Sequence, residues 1–329
     1  VGLVGETEDE ETTLADTLRD AETVRKSLPL VYRRLFRLGD LAEPALLQGR
    51  GRDLVAVRRR LGRWQRGGGV GTLVLTCPIG NGRTSFLEAL KEKVLDECVV
   101  KCFNIEERST AADHLLDAIS EDLALTPEAR NWNGIEAELR RREASGTPTV
   151  YVLDNLEHLM LQTAGGTELL QKILALMVRT DHAVFWLSTM SNEAWRYFAK
   201  VSAMTAATVS VHDLAPILRD EIEEIVLSRH EHSGISVRFK PPRDPSPILK
   251  RRLHRAPSPE REQEILQEVY FDAIFKHTGG HIGLALLYWV RSVEFENGGD
   301  VVAIKPLNPM SFDQLKRLDL PRQFTLKAF

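Results

Sequence analysis

The stretch LVLTCPIGNGRTSFLEAL, Leu73–Leu90, has the residue types of a phosphate cradle. An apolar run ends at Cys77, Gly80 and Gly82 follow, and Arg83, Thr84 and Ser85 open a helical pattern. A loop of this kind turns successive backbone N–H groups toward an anion at the positive end of the next helix. Aligned on G-x-x-x-x-G-K-[ST], Cys77 stands for the first glycine, Gly82 for the second, Arg83 for lysine and Thr84 for the Mg²⁺-ligating hydroxyl. The candidate phosphate-binding residues are Pro78, Ile79, Gly80, Asn81, Gly82, Arg83, Thr84 and Ser85. Cys77 is compatible with the role if its φ is negative. Arg83 keeps the positive charge as a planar fork rather than a compact ammonium, which suits binding better than transition-state placement. The competing reading is an ordinary Gly-rich strand–turn–helix junction.

A phosphate loop that works with Mg²⁺ needs an acid at the end of a buried strand, usually followed by a Glu that activates water. TVYVLDNLEHL, Thr149–Leu159, supplies Asp154 at the end of an apolar strand. Asn155 follows where the hydrolytic Glu would sit, and an amide takes no proton, so the general-base role is vacant. Glu157 lies two residues further along a turning chain, and its carboxylate is expected to point elsewhere. Alone, Asp154 would read as a helix N-cap; the phosphate-loop match upstream favours the metal. A third segment, HAVFWLSTMSNEAWRYF, ends a strand in Ser188 and Thr189. A polar side chain there can sense a terminal phosphate or position water. Capping by Ser191 or Asn192 is the alternative.

The elements that would position these residues alternate. Short β-rich runs at Thr72–Thr76, Val99–Asn104, Thr149–Leu153, Ala183–Ser188 and Thr208–Val211 are separated by helical patterns. Those lie near Ser85–Glu97, Ala111–Leu123, Gly134–Glu143, Leu169–Val178 and Asn192–Val201. The pattern predicts an α/β fold, a parallel sheet with helices on both faces. After His212 it changes to helices only, at Ile217–Ser228, Glu262–Lys276 and Gly280–Val293. Residues 240–262 carry six of the fifteen prolines and seven Lys/Arg against three acids, and read as a basic loop insertion rather than packed core.

The chain has 329 residues and a net charge of −4, a composition for about two domains and no polybasic protein as a whole. Residues 1–29 hold eight Asp/Glu against three Lys/Arg and read as a solvated leader. Three cysteines, Cys77, Cys98 and Cys102, fit a reducing, cytoplasmic setting rather than a disulfide framework. RHEHSG offers His230 and His232 without a third ligand, the pattern of a polar helix end more than of a metal site. No apolar run approaches a membrane span. The start at Val1 and the apolar pattern near Leu315–Phe329 suggest a piece of a longer protein.

Taken in order, these segments resemble an AAA+ P-loop ATPase of the initiator-like (origin-recognition) or STAND-like branch. CPIGNGRTS resembles Walker A, VYVLDN Walker B, and FWLST the sensor-1 strand. LLQGRGRDL, Leu46–Leu54, resembles that branch's N-linker, and HTGGHIGLALLYWV, His277 onward, its lid helix, with His281 and Ile282 replacing the usual Asn and Pro. The resemblance implies a three-layer αβα core with a parallel five-stranded sheet of order 5-1-4-3-2, followed by an all-helical lid. It implies a leader at 1–29, an N-linker at 30–66, a nucleotide-binding core at 67–213, a lid at 214–300 and the start of a winged-helix-like domain at 301–329. It also implies ATP or ADP with Mg²⁺ between core and lid. Gly49 and Arg50 would flank the base, with His281 near the nucleotide, Thr84 and Asp154 on the metal, and Asn155 and Thr189 at the catalytic positions. Relatives of this kind assemble side by side with an arginine completing the neighbour's site; Arg179, Arg196 and Arg229 are candidates. The function implied is a nucleotide-dependent assembly switch with weak or absent hydrolysis, acting as a homo-oligomer or through a protein partner. The alternatives are a DNA-associated loader or transposition regulator using Lys240–Arg261, and a scaffold that has lost nucleotide binding.

Overall fold

Strand β1 (Thr72–Cys77) is buried at every position and β4 (Phe185–Ser191) likewise, which requires cover on both faces. The computed structural model describes residues 23, 26, 28–36, 48–106, 108, 113–142, 147–161, 163–295, 301–309 and 318–323. The chain divides into two units, one formed by residues 40–216 and the other by residues 1–39 with 217–329.

The first unit is built on five parallel strands in the order β2-β3-β4-β1-β5, with β2 at Val99–Asn104, β3 at Thr149–Asp154 and β5 at Ser210–Asp213. Read from the other edge, this is the predicted 5-1-4-3-2. The two-residue period of a strand divides its side chains between two cores. Leu73, Leu75, Val150, Val152, Phe185 and Leu187 pack with α2 (Gly51–Gln65) and α3 (Arg83–Lys93). Val74, Tyr151, Leu153 and Trp186 face the other way. They meet α4 (Asp113–Asp122), α5 (Trp132–Arg141), α6 (Glu168–Thr180) and α7 (Asn192–Val201). The result is the three-layer αβα core. Gly71 leads into β1 where a Cβ would meet the Asp181 carbonyl at 2.2 Å, so the close approach there excludes any side chain.

The second unit carries the expected helices. They are α9 (Arg219–Glu231), α11 (Pro259–Thr278) and α12 (Ile282–Ser292), with α1 (Leu30–Leu35) packed in the same core. The short helix α8 (Ala203–Ala206) belongs to the first unit.

Two expectations are corrected. The region after His212 is not helices alone, because β6 (Ser236–Phe239), β7 (Val293–Phe295) and β8 (Val301–Ile304) form a sheet of order β6-β8-β7. These strands have three or four residues each, too short for a periodicity to register. Nor is the basic segment wholly a loop. Its prolines include Pro247 and Pro259, which follow Ser246 and Ser258 as first helical residues behind serine N-caps and so start α10 (Pro247–His254) and α11.

The segment 30–66 is divided between the units, and Val301–Ile304 belongs to the sheet of the second. Most of the acidic leader lies outside the described residues, as do residues 310–317 and 324–329 of the region expected to begin a winged helix.

Candidate functional site

Between β1 and α3 the chain turns through two left-handed glycines, Gly80 (φ 77°) and Gly82 (φ 81°). That conformation is costly for any residue with a Cβ. Gly82 is the N-cap of α3, so the first amides of that helix open onto the loop. Cys77 keeps a φ outside the left-handed region, which removes the need for glycine there. Its side chain is fully buried, and burial pushes the thiol up to about 11, so it sits in the loop as a small neutral packing group. Asn81 and Ser85 are buried, Pro78, Gly82, Arg83 and Thr84 half-buried, and Ile79 and Gly80 exposed at the tip.

Arg50, expected beside the base, makes contacts within the protein. Its buried guanidinium donates from Nη2 to the Asn81 carbonyl (3.0 Å) and from Nη1 to the Ala215 carbonyl (2.5 Å). Asp53 pairs with Arg50 at 3.3 Å and meets His212 Nε2 at 2.9 Å. The loop is thus braced from behind. Gly49, at φ 73°, makes the turn that delivers Arg50.

On the open side, β3 and β4 bring Asp154, Asn155 and Thr189 together. Thr189 Oγ1 donates to Asp154 Oδ1, and the Asn155 backbone N–H lies 3.1 Å from both of those oxygens. Arg83 reaches across to this group. Its Nε is 3.9 Å from Asp154 Oδ1, Nη2 donates to Asn155 Oδ1, and Nη1 donates to Glu157 Oε1 at 2.8 Å. Residues from three distant segments, Arg83, Asp154 with Asn155, and Thr189, therefore share one cluster.

Glu157, expected to point elsewhere, is turned into this cluster, which corrects that expectation. Asn155 adopts a left-handed conformation (φ 65°, ψ 50°), which Asn tolerates better than most residues. That reversal starts a 3₁₀ turn, Leu156–Leu159, and swings Glu157 back onto Arg83. The usable signal was Asn155 itself, an αL-tolerant residue immediately after a strand end.

Asp154 and the Thr84 hydroxyl are hard oxygen donors of the kind Mg²⁺ takes alongside substrate phosphates, so the residues present fit that ion. Among the described residues no group of three or more His, Cys, Asp or Glu is suited to a metal. His230 and His232 make no such site: His230 is buried against Tyr32, and His232 Nδ1 bonds the Ser228 carbonyl.

His281 lies in the second unit, where it caps α12 by accepting from the Leu284 N–H (3.2 Å), a role Asn would also fill. Of the three arginines considered for a neighbour's site, Arg229 is buried and burial pulls its guanidinium down to about 10. Arg179 pairs with Glu136 (3.3 Å), whereas Arg196 is exposed on α7.

No family model and no curated protein matches the chain. Solved structures do. The ORC1 protein of Aeropyrum pernix, in complex with DNA, is 17% identical with a TM-score of 0.45 over 78% of this chain and 68% of that one. The Aeropyrum pernix ORC2 protein in its ADP form is 14% identical with a TM-score of 0.47 over 79% and 66%. Cdc6p from Pyrobaculum aerophilum is 17% identical with a TM-score of 0.42 over 70% and 60%, so this chain spans less than two thirds of that protein's length. The chain is thus similar, at low identity, to archaeal ORC and Cdc6 proteins.

Proposed function

We propose that this chain is an AAA+-type nucleotide-binding protein that takes ATP or ADP with Mg²⁺ on the loop 78–85 and uses the bound state as a conformational or assembly switch. One observation carries this reading: Arg83, at the lysine position of the phosphate loop, is 3.9 Å from Asp154, at the metal-acid position of β3. The two halves of a nucleoside-phosphate site, drawn from distant parts of the chain, meet at one point. Backbone amides of Gly80–Thr84 would hold the phosphates, with Thr84 and Asp154 on the ion. The ion would neutralise phosphate charge.

Turnover is slow in this reading. Arg83 replaces a compact ammonium, and its guanidinium must leave three partners before it can meet a phosphate. Asn155 has no carboxylate to offer water. Thr189 is the sensor, through its hydroxyl bond to Asp154.

Nucleic-acid binding through Lys240–Arg261 gains less support. Four of the seven basic side chains there are already paired, Lys240 with Glu294, Lys250 with Asp244, Arg252 with Glu268 and Arg261 with Glu264. That leaves Arg243, Arg251 and Arg255 outside these pairs, so only part of the segment's charge is open to a phosphate backbone. No helix among the described residues is long and apolar enough to cross a membrane.

The test is a thermal melt with and without Mg-ATP and Mg-ADP, together with analysis of any nucleotide carried through purification. A stabilised melt supports the reading. No shift and no retained nucleotide would leave the scaffold alternative standing.

A further inference from the structure

Asn155 leaves the usual water-activating position without a carboxylate, yet a second acid stands in the cluster. Glu157 Oε1 is 2.8 Å from Arg83 Nη1, and its side chain is only 14% exposed. Its other oxygen, Oε2, is buried with no hydrogen-bond partner among the described residues. A half-buried carboxylate with one idle oxygen is costly to keep unless it has a use.

The turn that carries it is held at both ends. Asn155 Nδ2 donates to Asn104 Oδ1 at 3.0 Å, and His158 Nδ1 donates to the Ile105 carbonyl at 2.5 Å. Leu156 and Leu159 on either side of Glu157 are fully buried. Glu157 is therefore presented to the cluster by a braced turn and not by a freely rotating loop.

The charges of the cluster suggest how it is used. One guanidinium now serves two carboxylates, Asp154 and Glu157. Arg83 belongs to the phosphate loop, so the phosphates of a bound nucleotide compete with Glu157 for it. When Arg83 turns to them, Glu157 loses its only ion-pair partner among the described residues, beside the terminal phosphate that Arg83 has moved to meet.

We propose that Glu157 is the general base of the site, held by Arg83 until a nucleoside triphosphate releases it. The proposal rests on the nucleotide-binding reading above. In the step itself, the oxygen of a water molecule bonds to the γ-phosphorus while Glu157 takes one of that water's protons. The bond from the γ-phosphorus to the β–γ bridging oxygen breaks, and its electron pair leaves with the diphosphate. The acid has thus moved three positions beyond Asp154, and the left-handed Asn155 is what turns it inward.

The experiment compares wild type with Glu157→Gln in the full chain, with two readouts. One is the Kd for a non-hydrolysable ATP analogue with Mg²⁺; the other is phosphate release from ATP. Expected is an unchanged or several-fold tighter Kd, because Arg83 loses a competitor, with release slowed by about 10²–10⁴-fold. Glu157→Asp, which keeps the charge but shortens its reach, recovers part of the rate, and it also serves if the amide variant does not fold. Phosphate release by Glu157→Gln at the wild-type rate overturns the proposal. So does a wild type that binds the analogue but never cleaves ATP. A wild type that fails to bind the analogue overturns the nucleotide-binding reading instead.

Discussion

Arg50 Nη2 donates to the main-chain carbonyl of Asn81 at 3.0 Å, which fastens the start of α2 to the back of the phosphate loop. The loop's curvature is therefore set by a buried side chain thirty-one residues upstream as well as by Gly80 and Gly82. Arg50→Ala takes this donor from the Asn81 and Ala215 carbonyls; Ala215 is exposed to water, so the cost of about 1–3 kcal/mol for a buried unsatisfied group falls on the Asn81 side. Expected are a lower melting temperature and weaker nucleotide binding together. Loss of stability with unchanged affinity would reduce Arg50 to a packing residue.

Gly71→Ala tests the entry to the central strand. The new Cβ would lie 2.2 Å from the Asp181 carbonyl and 2.6 Å from Trp64 Nε1, so backbone must move. Overpacking of this kind costs about 1–3 kcal/mol. For a unit of this size that is a fall of roughly 3–10 °C in a thermal melt. An unchanged melt would show that the contact yields freely.

The second unit has a polar chain within its aromatic core. Trp289 Nε1 donates to the Tyr32 hydroxyl (2.9 Å), which lies 3.1 Å from His230 Nδ1. Burial holds the His230 pKa below its usual value, so the unfolded chain takes up its proton first as pH falls. The sign follows from linkage: the stability due to neutral His230 is complete above the unfolded value of about 6.5 and declines as pH drops below it. Melts at about pH 7.5 and about pH 5.5, on either side of that value, should differ more for wild type than for His230→Gln. Equal differences would count against a buried neutral histidine.

Arg83→Lys with Asn155→Glu restores both departures from the usual catalytic pattern. ATP turnover should rise clearly over wild type, measured as phosphate release. No gain would mean that these two positions do not limit the rate. The carboxylate introduced next to Asp154 would share the site with Glu157. The double variant is therefore best read beside Glu157→Gln, where the two acids can be told apart.

Much of the first unit was legible in the chain. Strands such as TLVLTC and FWLSTMS are apolar throughout because both faces are covered, and their alternation with helices fixes a parallel sheet. Gly80 and Gly82 announce left-handed turns because few other residues adopt them at low cost. What was not legible depends on direction rather than identity. The sequence shows an acid at 157, but only the reversal at Asn155 decides where it points. Arg50 belongs to a motif associated with the base, yet its bonds run to the loop's carbonyl, a relation that no spacing encodes. Strands β6, β7 and β8 escaped because three or four residues form a strand only when partners distant in the chain supply the hydrogen bonds.

The central claim is that the loop 78–85 holds a nucleoside phosphate, and calorimetric titration of Mg-ADP into wild type and Gly82→Val tests it most directly. Valine at φ 81° is a severe backbone misfit and would close the amide cradle. Saturable binding by wild type, lost in a Gly82→Val protein whose melt still shows a folded chain, is the predicted result. No heat from wild type, or equal affinity in the variant, would contradict it.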